Sequence, residues 1–142
     1  MHMRWLPSML LALATAVHAS SWQEASRGQG ALARVDTESI KRLSPNKVRA
    51  RVYWQYDTPG PLSQTDSTQF MSAKQLTVFD CAEGTSRVIS LIAYAQRDDA
   101  GTSVASEGQP DDPRHYDYLA PDSMGEAVLK FTCGWKPRKK QQ

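Results

Sequence analysis

The sequence predicts an α+β fold: an antiparallel β-sheet of about five to six strands, a C-terminal helix packed on it, and one disulfide tying the two together. Three observations predict it. Residues Lys47 to Tyr56 alternate, with Val48, Ala50, Val52, Trp54 and Tyr56 on one side and Lys47, Arg49, Arg51, Tyr53 and Gln55 on the other. Period-2 alternation of this length is a strand with one buried and one wetted face, as antiparallel sheets have. Met124, Ala127, Val128 and Phe131 recur at i, i+3, i+4 and i+7, one apolar stripe at helical period. The chain has two cysteines, Cys81 at the end of a strand pattern and Cys133 at the end of the helical one.

Residues 1–19 read as a secretory signal. Arg4 supplies the charged start, Leu6 to Val17 the apolar run, and Val17-His18-Ala19 the small-x-small cleavage site. The run is too short for a membrane span, and no second apolar stretch approaches that length, so no membrane span is expected. The remainder suits one domain, residues 20–135, followed by a basic tail, 136–142. Export decides how the cysteines read: outside the cytoplasm, two cysteines mean a disulfide more often than a metal site. Such a bridge closes a loop of about fifty residues and, in the chain-entropy model, stabilises the fold by roughly 4 kcal/mol.

Ser20 to Ala25 reads as a short first strand anchored by Trp22, Gly28 and Gly30 as a turn, and Ala31 to Asp36 as a second strand. Thr37 to Arg42 reads as a turn or single helical loop, and Pro45-Asn46 as another turn. After the long strand, Asp57 to Gln69 is a polar loop rich in Pro, Gly, Ser and Thr. Lys74 to Cys81 and Ser86 to Gln96 form a hairpin about Ala82-Glu-Gly84. Asp98 to Gly101 is a turn, Thr102 to Ser106 a short strand, Glu107 to Pro113 an acidic loop, and Tyr116 to Leu119 a last short strand. Pro121 then stops the chain's extension, and Ser123 with Glu126 forms a capping box for a helix of about ten residues. Gly134 stands where a left-handed terminator is expected.

Chemistry offers little. His115, Asp117 and Ser123 are the one set resembling a hydrolytic triad, but Ser123 is already used as a cap and no nucleophile elbow surrounds it. Asp80 with Asp98 or Asp99 could pair as carboxylates, although turn positions explain them equally. No metal site is expected, because two thiols and three histidines, His2 and His18 among them, do not assemble a zinc set. No cofactor is implied either, since no Gly-rich phosphate loop is present. The net charge of +2, from 17 basic and 15 acidic residues, says little about partners. Its distribution says more: Lys41, Arg42, Lys47, Arg49 and Arg51 gather in one strand and the loop before it. Lys47, Arg49, Arg51 and Tyr53 are therefore the candidate ligand-binding residues, and a protein or an acidic polysaccharide is the candidate ligand. A solvated face with edge-protecting lysines is the plainer reading. Nucleic acid is not expected, since export argues against it and Arg49, Arg51 and Tyr53 sketch a stacking platform only faintly.

A family pattern runs through the same residues. Trp22, Val35-Asp36-Thr37-Glu38-Ser39-Ile40, the Val48–Trp54 strand, Phe79-Asp80-Cys81, Arg87, Tyr94, and Ala120-Pro-Asp-Ser-Met-Gly-Glu-Ala127 ending at Cys133 follow one another in order. In this the chain resembles the surface-adhesin protein E family of bacterial secreted and outer-surface proteins. The resemblance implies an antiparallel sheet with a C-terminal helix, a Cys81–Cys133 bridge, no enzymatic activity, binding of host extracellular-matrix and serum proteins by some members, and homodimers. The founding type is lipid-anchored, whereas this chain carries no cysteine at its cleavage site, so a periplasmic or secreted location is expected. In that type the adhesive region is the basic strand leading into the first cysteine; here that stretch holds only Lys74, with Arg87 beyond it. The expected function is a non-enzymatic exported protein that binds proteins or matrix and envelope components. The alternatives are a periplasmic envelope-associated structural protein or a small secreted hydrolase or inhibitor.

Overall fold

The computed structural model describes residues 21–137. The predicted signal at 1–19 and the charged end of the tail, Arg138 to Lys140, lie outside the described residues. Eight strands form one antiparallel sheet: β1 (Trp22–Gly28), β2 (Ala31–Asp36), β3 (Lys41–Ser44), β4 (Lys47–Pro61), β5 (Gln69–Asp80), β6 (Thr85–Tyr94), β7 (Ser103–Gly108) and β8 (Asp117–Tyr118). The order across it is β1-β2-β4-β5-β6-β7, with β3 beside the start of β4 and β8 beside the start of β6. Among the described residues one α-helix, α1 (Met124–Gly134), follows.

Local chemistry accounts for the connections. In the β1–β2 hairpin Gly28 pairs with Ala31, leaving Gln29 and Gly30 as a two-residue turn with φ of 49° and 76°. Both central residues are left-handed, as a turn matching the sheet's twist requires. The Asp36 side chain accepts from the Glu38 amide and opens a single 3-10 turn over Thr37–Ser39. Thr37-Glu-Ser is thus the predicted helical loop, but the residues after it form β3, which the sequence pattern did not show. β3 is a short edge strand with four exposed residues, and nothing apolar alternates in it. β4 and β5 also run longer than predicted, to Pro61 and from Gln69. Their added pairing shrinks the polar loop to residues 62–68, closed by Leu62 N–H to Thr68 O at 3.0 Å and Ser63 N–H to Asp66 O at 3.2 Å.

The core lies between α1 and one face of the sheet. Ala33 and Val35 from β2, Ala50 and Val52 from β4, Phe79 from β5, and Val128 and Leu129 from α1 are buried together. The Ser123 hydroxyl accepts from the Glu126 amide at 3.1 Å, while the Glu126 carboxylate reaches the amide of Asp122 at 3.3 Å, one residue before the predicted partner. The fully buried positions of the helix are Val128, Leu129 and Thr132; of the predicted stripe, Val128 lies at its centre and Met124 and Phe131 pack half-buried against the same core. The bridge lies beside the same face. Cys133 is bonded to Cys81, just beyond β5, with Cα atoms 6.0 Å apart, and Leu129 shares the face of Cys133 at i+4. Gly134 does not take a left-handed conformation; the helix ends with the Trp135 amide bonded to Thr132 O at 3.4 Å, ahead of Pro137.

Candidate binding face

The sheet face away from α1 carries the cationic residues of β4. The Cα register from Lys47 to Gln55 against β5 is unbroken, so Lys47, Arg49, Arg51, Tyr53 and Gln55 do share that face, as predicted. Its two ends, however, are covered. Over the start of β4, the segment 109–116 is held by Arg87, whose guanidinium donates to Pro110 O at 2.8 Å, His115 O at 3.1 Å and the Gln109 side chain at 3.2 Å. This brings Tyr116 beneath the Lys47 ammonium, 4.6 Å from the ring centroid. Burial and then a hydrogen bond to Asp111 hold the Tyr116 hydroxyl well above the usual phenol range.

Over the far end, the turn after β6 folds back onto β4 and β5. Ser72 donates to Gln96 O at 2.6 Å and accepts from the Asp99 amide, and Lys74 pairs with the Asp99 carboxylate at 2.5 Å. That contact raises the Lys74 ammonium above its ordinary value. The Gln55 amide, oriented to satisfy its neighbours, donates to Asp98 Oδ1 at 2.7 Å and accepts from Arg97 at 2.9 Å. Tyr53 and Gln55 are consequently 6% and 7% exposed. Tyr53 is not on the wetted surface that the alternation predicted: a polar turn closes over it, and burial pushes its hydroxyl above the usual phenol range. Asp98 and Asp99 both adopt left-handed φ, 59° and 51°, which lets successive residues turn tightly enough to cap the strand.

Between the two covers the face is open and positive. Arg51 is exposed and Arg49 half-buried. The missed strand β3 places Lys41 directly opposite Arg49, and β2 places Arg34 directly opposite Tyr53. Among the described residues, none of Arg34, Lys41, Arg49 and Arg51 has a carboxylate within ion-pair distance or a side-chain hydrogen bond. The other described cations are mostly engaged. Arg27, Lys74, Arg97, Arg114 and Lys130 form ion pairs, Arg42 donates to Pro45 O, Arg87 holds carbonyls, and Lys47 rests on a ring. Arg34 escaped sequence reasoning because its place depends on β2–β4 register. A groove of about 490 Å³ runs here between Arg49, Arg51, Leu76 and the Asp36–Ser39 turn.

The triad-like residues do not assemble. His115 Nδ1 lies 3.0 Å from Asp112, and the Ser123 hydroxyl donates to Ala120 O at 2.7 Å while capping α1. Asp80 accepts from the amides of Ala82 and Glu83, at the opposite end of β5 from Asp98. Among the described residues no group of three or more metal-ligating side chains gathers, and no described helix is long and apolar enough to cross a membrane.

Comparison with known proteins agrees with the fold. The family profile of Surface-adhesin protein E matches residues 22–134. A solved structure of Haemophilus influenzae protein E aligns with a TM-score of 0.55 at 17% identity, covering 84% of this chain and 89% of that one. A second crystal form of that protein gives 0.54 at 16% identity, covering 84% and 92%. Protein E from non-typeable Haemophilus influenzae gives 0.51 at 16%, covering 84% and 80%. No curated protein matches. With its eight-stranded antiparallel sheet, C-terminal helix and Cys81–Cys133 bridge matched end to end by that profile, the chain belongs to the surface-adhesin protein E family and is an exported, non-enzymatic, adhesin-like protein.

Proposed function

We propose that this protein attaches to an acidic partner through the open centre of the sheet face opposite α1, with Lys41, Arg49 and Arg51 as the contacts. The observation that carries the reading is the β3–β4 pairing. It sets Lys41 against Arg49 with Arg51 next on the same face, and leaves all three without an acidic partner. Cations held close together without counter-charges cost stability in a fold, and a binding surface is a reason for a chain to keep them. Lys47 takes part from the rim, since its ammonium is bound to Tyr116, and Tyr53 supports the floor from beneath the Arg97–Asp99 turn without touching a ligand. Display on the cell surface, rather than residence in the periplasm, belongs to the same reading. Solid-phase binding to a matrix-coated surface tests it: Arg49→Glu/Arg51→Glu is expected to abolish retention with the circular dichroism spectrum unchanged. Retention equal to the parent protein would remove this face from consideration. Protease cleavage on intact cells is expected, and protection until the outer membrane is broken would place the protein in the periplasm.

A further inference from the structure

The ligand class can be narrowed, on the footing of the attachment reading above. The unpaired cations are not scattered over the face. Taken along β4, they occupy three successive rows of one sheet surface: Lys41 and Arg49 in the first, Arg51 in the second, and Arg34, opposite Tyr53, in the third. Alternate residues of a strand are about 7 Å apart, so the rows span roughly 14 Å in a straight line. Three of the four cations are arginines, whose planar fork engages the oxyanions of sulfate or phosphate with two parallel hydrogen bonds.

Two other classes fit less well. Protein partners are anchored by clustered aromatic and apolar side chains, and the exposed large apolar residues among those described, Leu43, Ile92 and Tyr118, stand in three different strands. Nucleic acid needs open aromatic faces on which bases stack, whereas Tyr53 is buried and Trp22, half-buried beside it, packs against it edge to face. We propose that the lane Lys41–Arg49–Arg51–Arg34 binds a linear sulfated polysaccharide laid along β4, with Arg34 the contact at its far end. Glu38, exposed on the turn that borders the groove with Arg49 and Arg51, opposes such a ligand, as do Glu24, opposite Arg34 on β1, and Asp98 and Asp99, which line a pocket with Arg34.

The test is titration of the full protein with heparin oligosaccharides of increasing length, and with oligoglutamate of matched charge, at several salt concentrations. Affinity for the sulfated series is expected to rise until the ligand spans about 14 Å and then to level off. Arg34→Gln should weaken the longer sulfated ligands roughly two- to fivefold, the worth of one exposed charge-assisted contact. It should also lower the slope of log affinity against log salt by about one, and Glu38→Gln should tighten binding. Equal affinity for oligoglutamate, or an Arg34→Gln variant indistinguishable from the parent, would overturn the proposal. Arg49→Glu/Arg51→Glu separates the two levels. If it loses both ligands alike, the face stands and the polysaccharide class falls. If it loses neither, the attachment reading itself falls.

Discussion

Lys41 and Arg49 stand directly opposite each other on β3 and β4, two like charges in a cross-strand pair with no carboxylate on either. Such a pair destabilises an antiparallel ladder by roughly 0.2–1 kcal/mol. Lys41→Glu should therefore raise the midpoint of thermal unfolding, by the few degrees that so small a change produces in a domain of this size, while weakening attachment to an anionic matrix. A variant that loses both stability and binding would show that Lys41 has a structural role instead.

The Cys81–Cys133 bridge, 52 residues apart in sequence, holds the face of α1 that carries Leu129 against the sheet. Replacing both cysteines by serine is expected to lower unfolding free energy in urea by about 2–4 kcal/mol. Hydrogen exchange should accelerate first in α1, because a helix of this length is marginal in water without its packing. Uniform exchange rates, with stability unchanged, would mean that packing alone seats the helix.

Two buried polar residues should respond in opposite ways. Gln55 bridges Tyr53, Arg97 and Asp98, so Gln55→Leu strands several polar groups and should cost about 1–3 kcal/mol. Thr77 is 4% exposed and its hydroxyl has no hydrogen-bond partner. Thr77→Val keeps the shape and should be neutral or stabilising by up to about 1 kcal/mol. Denaturant titration of the two variants reads both outcomes.

Stability should fall towards both extremes of pH. Hydrogen bonds from Arg114, and less so from His115, hold the Asp112 carboxyl below the usual carboxylate range, and the Lys130 ammonium does the same for Glu126. A depressed carboxylate stabilises above its unfolded pKa, about 4, and that contribution is lost as pH falls further. Asp112→Asn should flatten the loss of thermal stability between about pH 4 and pH 2. Tyr116 is shifted the other way, chiefly by burial, so its contribution is present below about pH 10 and lost above it. Tyr116→Phe should flatten the alkaline limb, and an unaltered limb would show that other groups set it.

The sheet, the helix and the bridge were legible because each rests on local chemistry: the alternation of Val48 to Tyr56, the Ser123 cap, and two cysteines in an exported chain. The strand count fell short because β3 is short and carries no apolar period; it is a strand only by pairing with β4, whereas β8 falls within the predicted strand Tyr116 to Leu119. The site was half legible. Arg49 and Arg51 follow from alternation alone. Tyr53 was misplaced because the Asp98-Asp99 turn that buries it lies more than forty residues away in sequence, where no periodicity can register the cover. Arg34 was missed for the converse reason, since its neighbours on the face are set by β2–β4 register.

On the proposed reading, Arg34, Lys41, Arg49 and Arg51 meet an acidic ligand together from one face of the sheet. Side-chain NMR of the arginine Nε–H groups during titration with a sulfated oligosaccharide tests it most directly. The Arg34, Arg49 and Arg51 signals are expected to move together and saturably, while Arg87, fixed on the carbonyls of Pro110 and His115, stays in place. Shifts confined to arginines off this face, such as Arg27 and Arg114, or a uniform drift of every arginine, would contradict it.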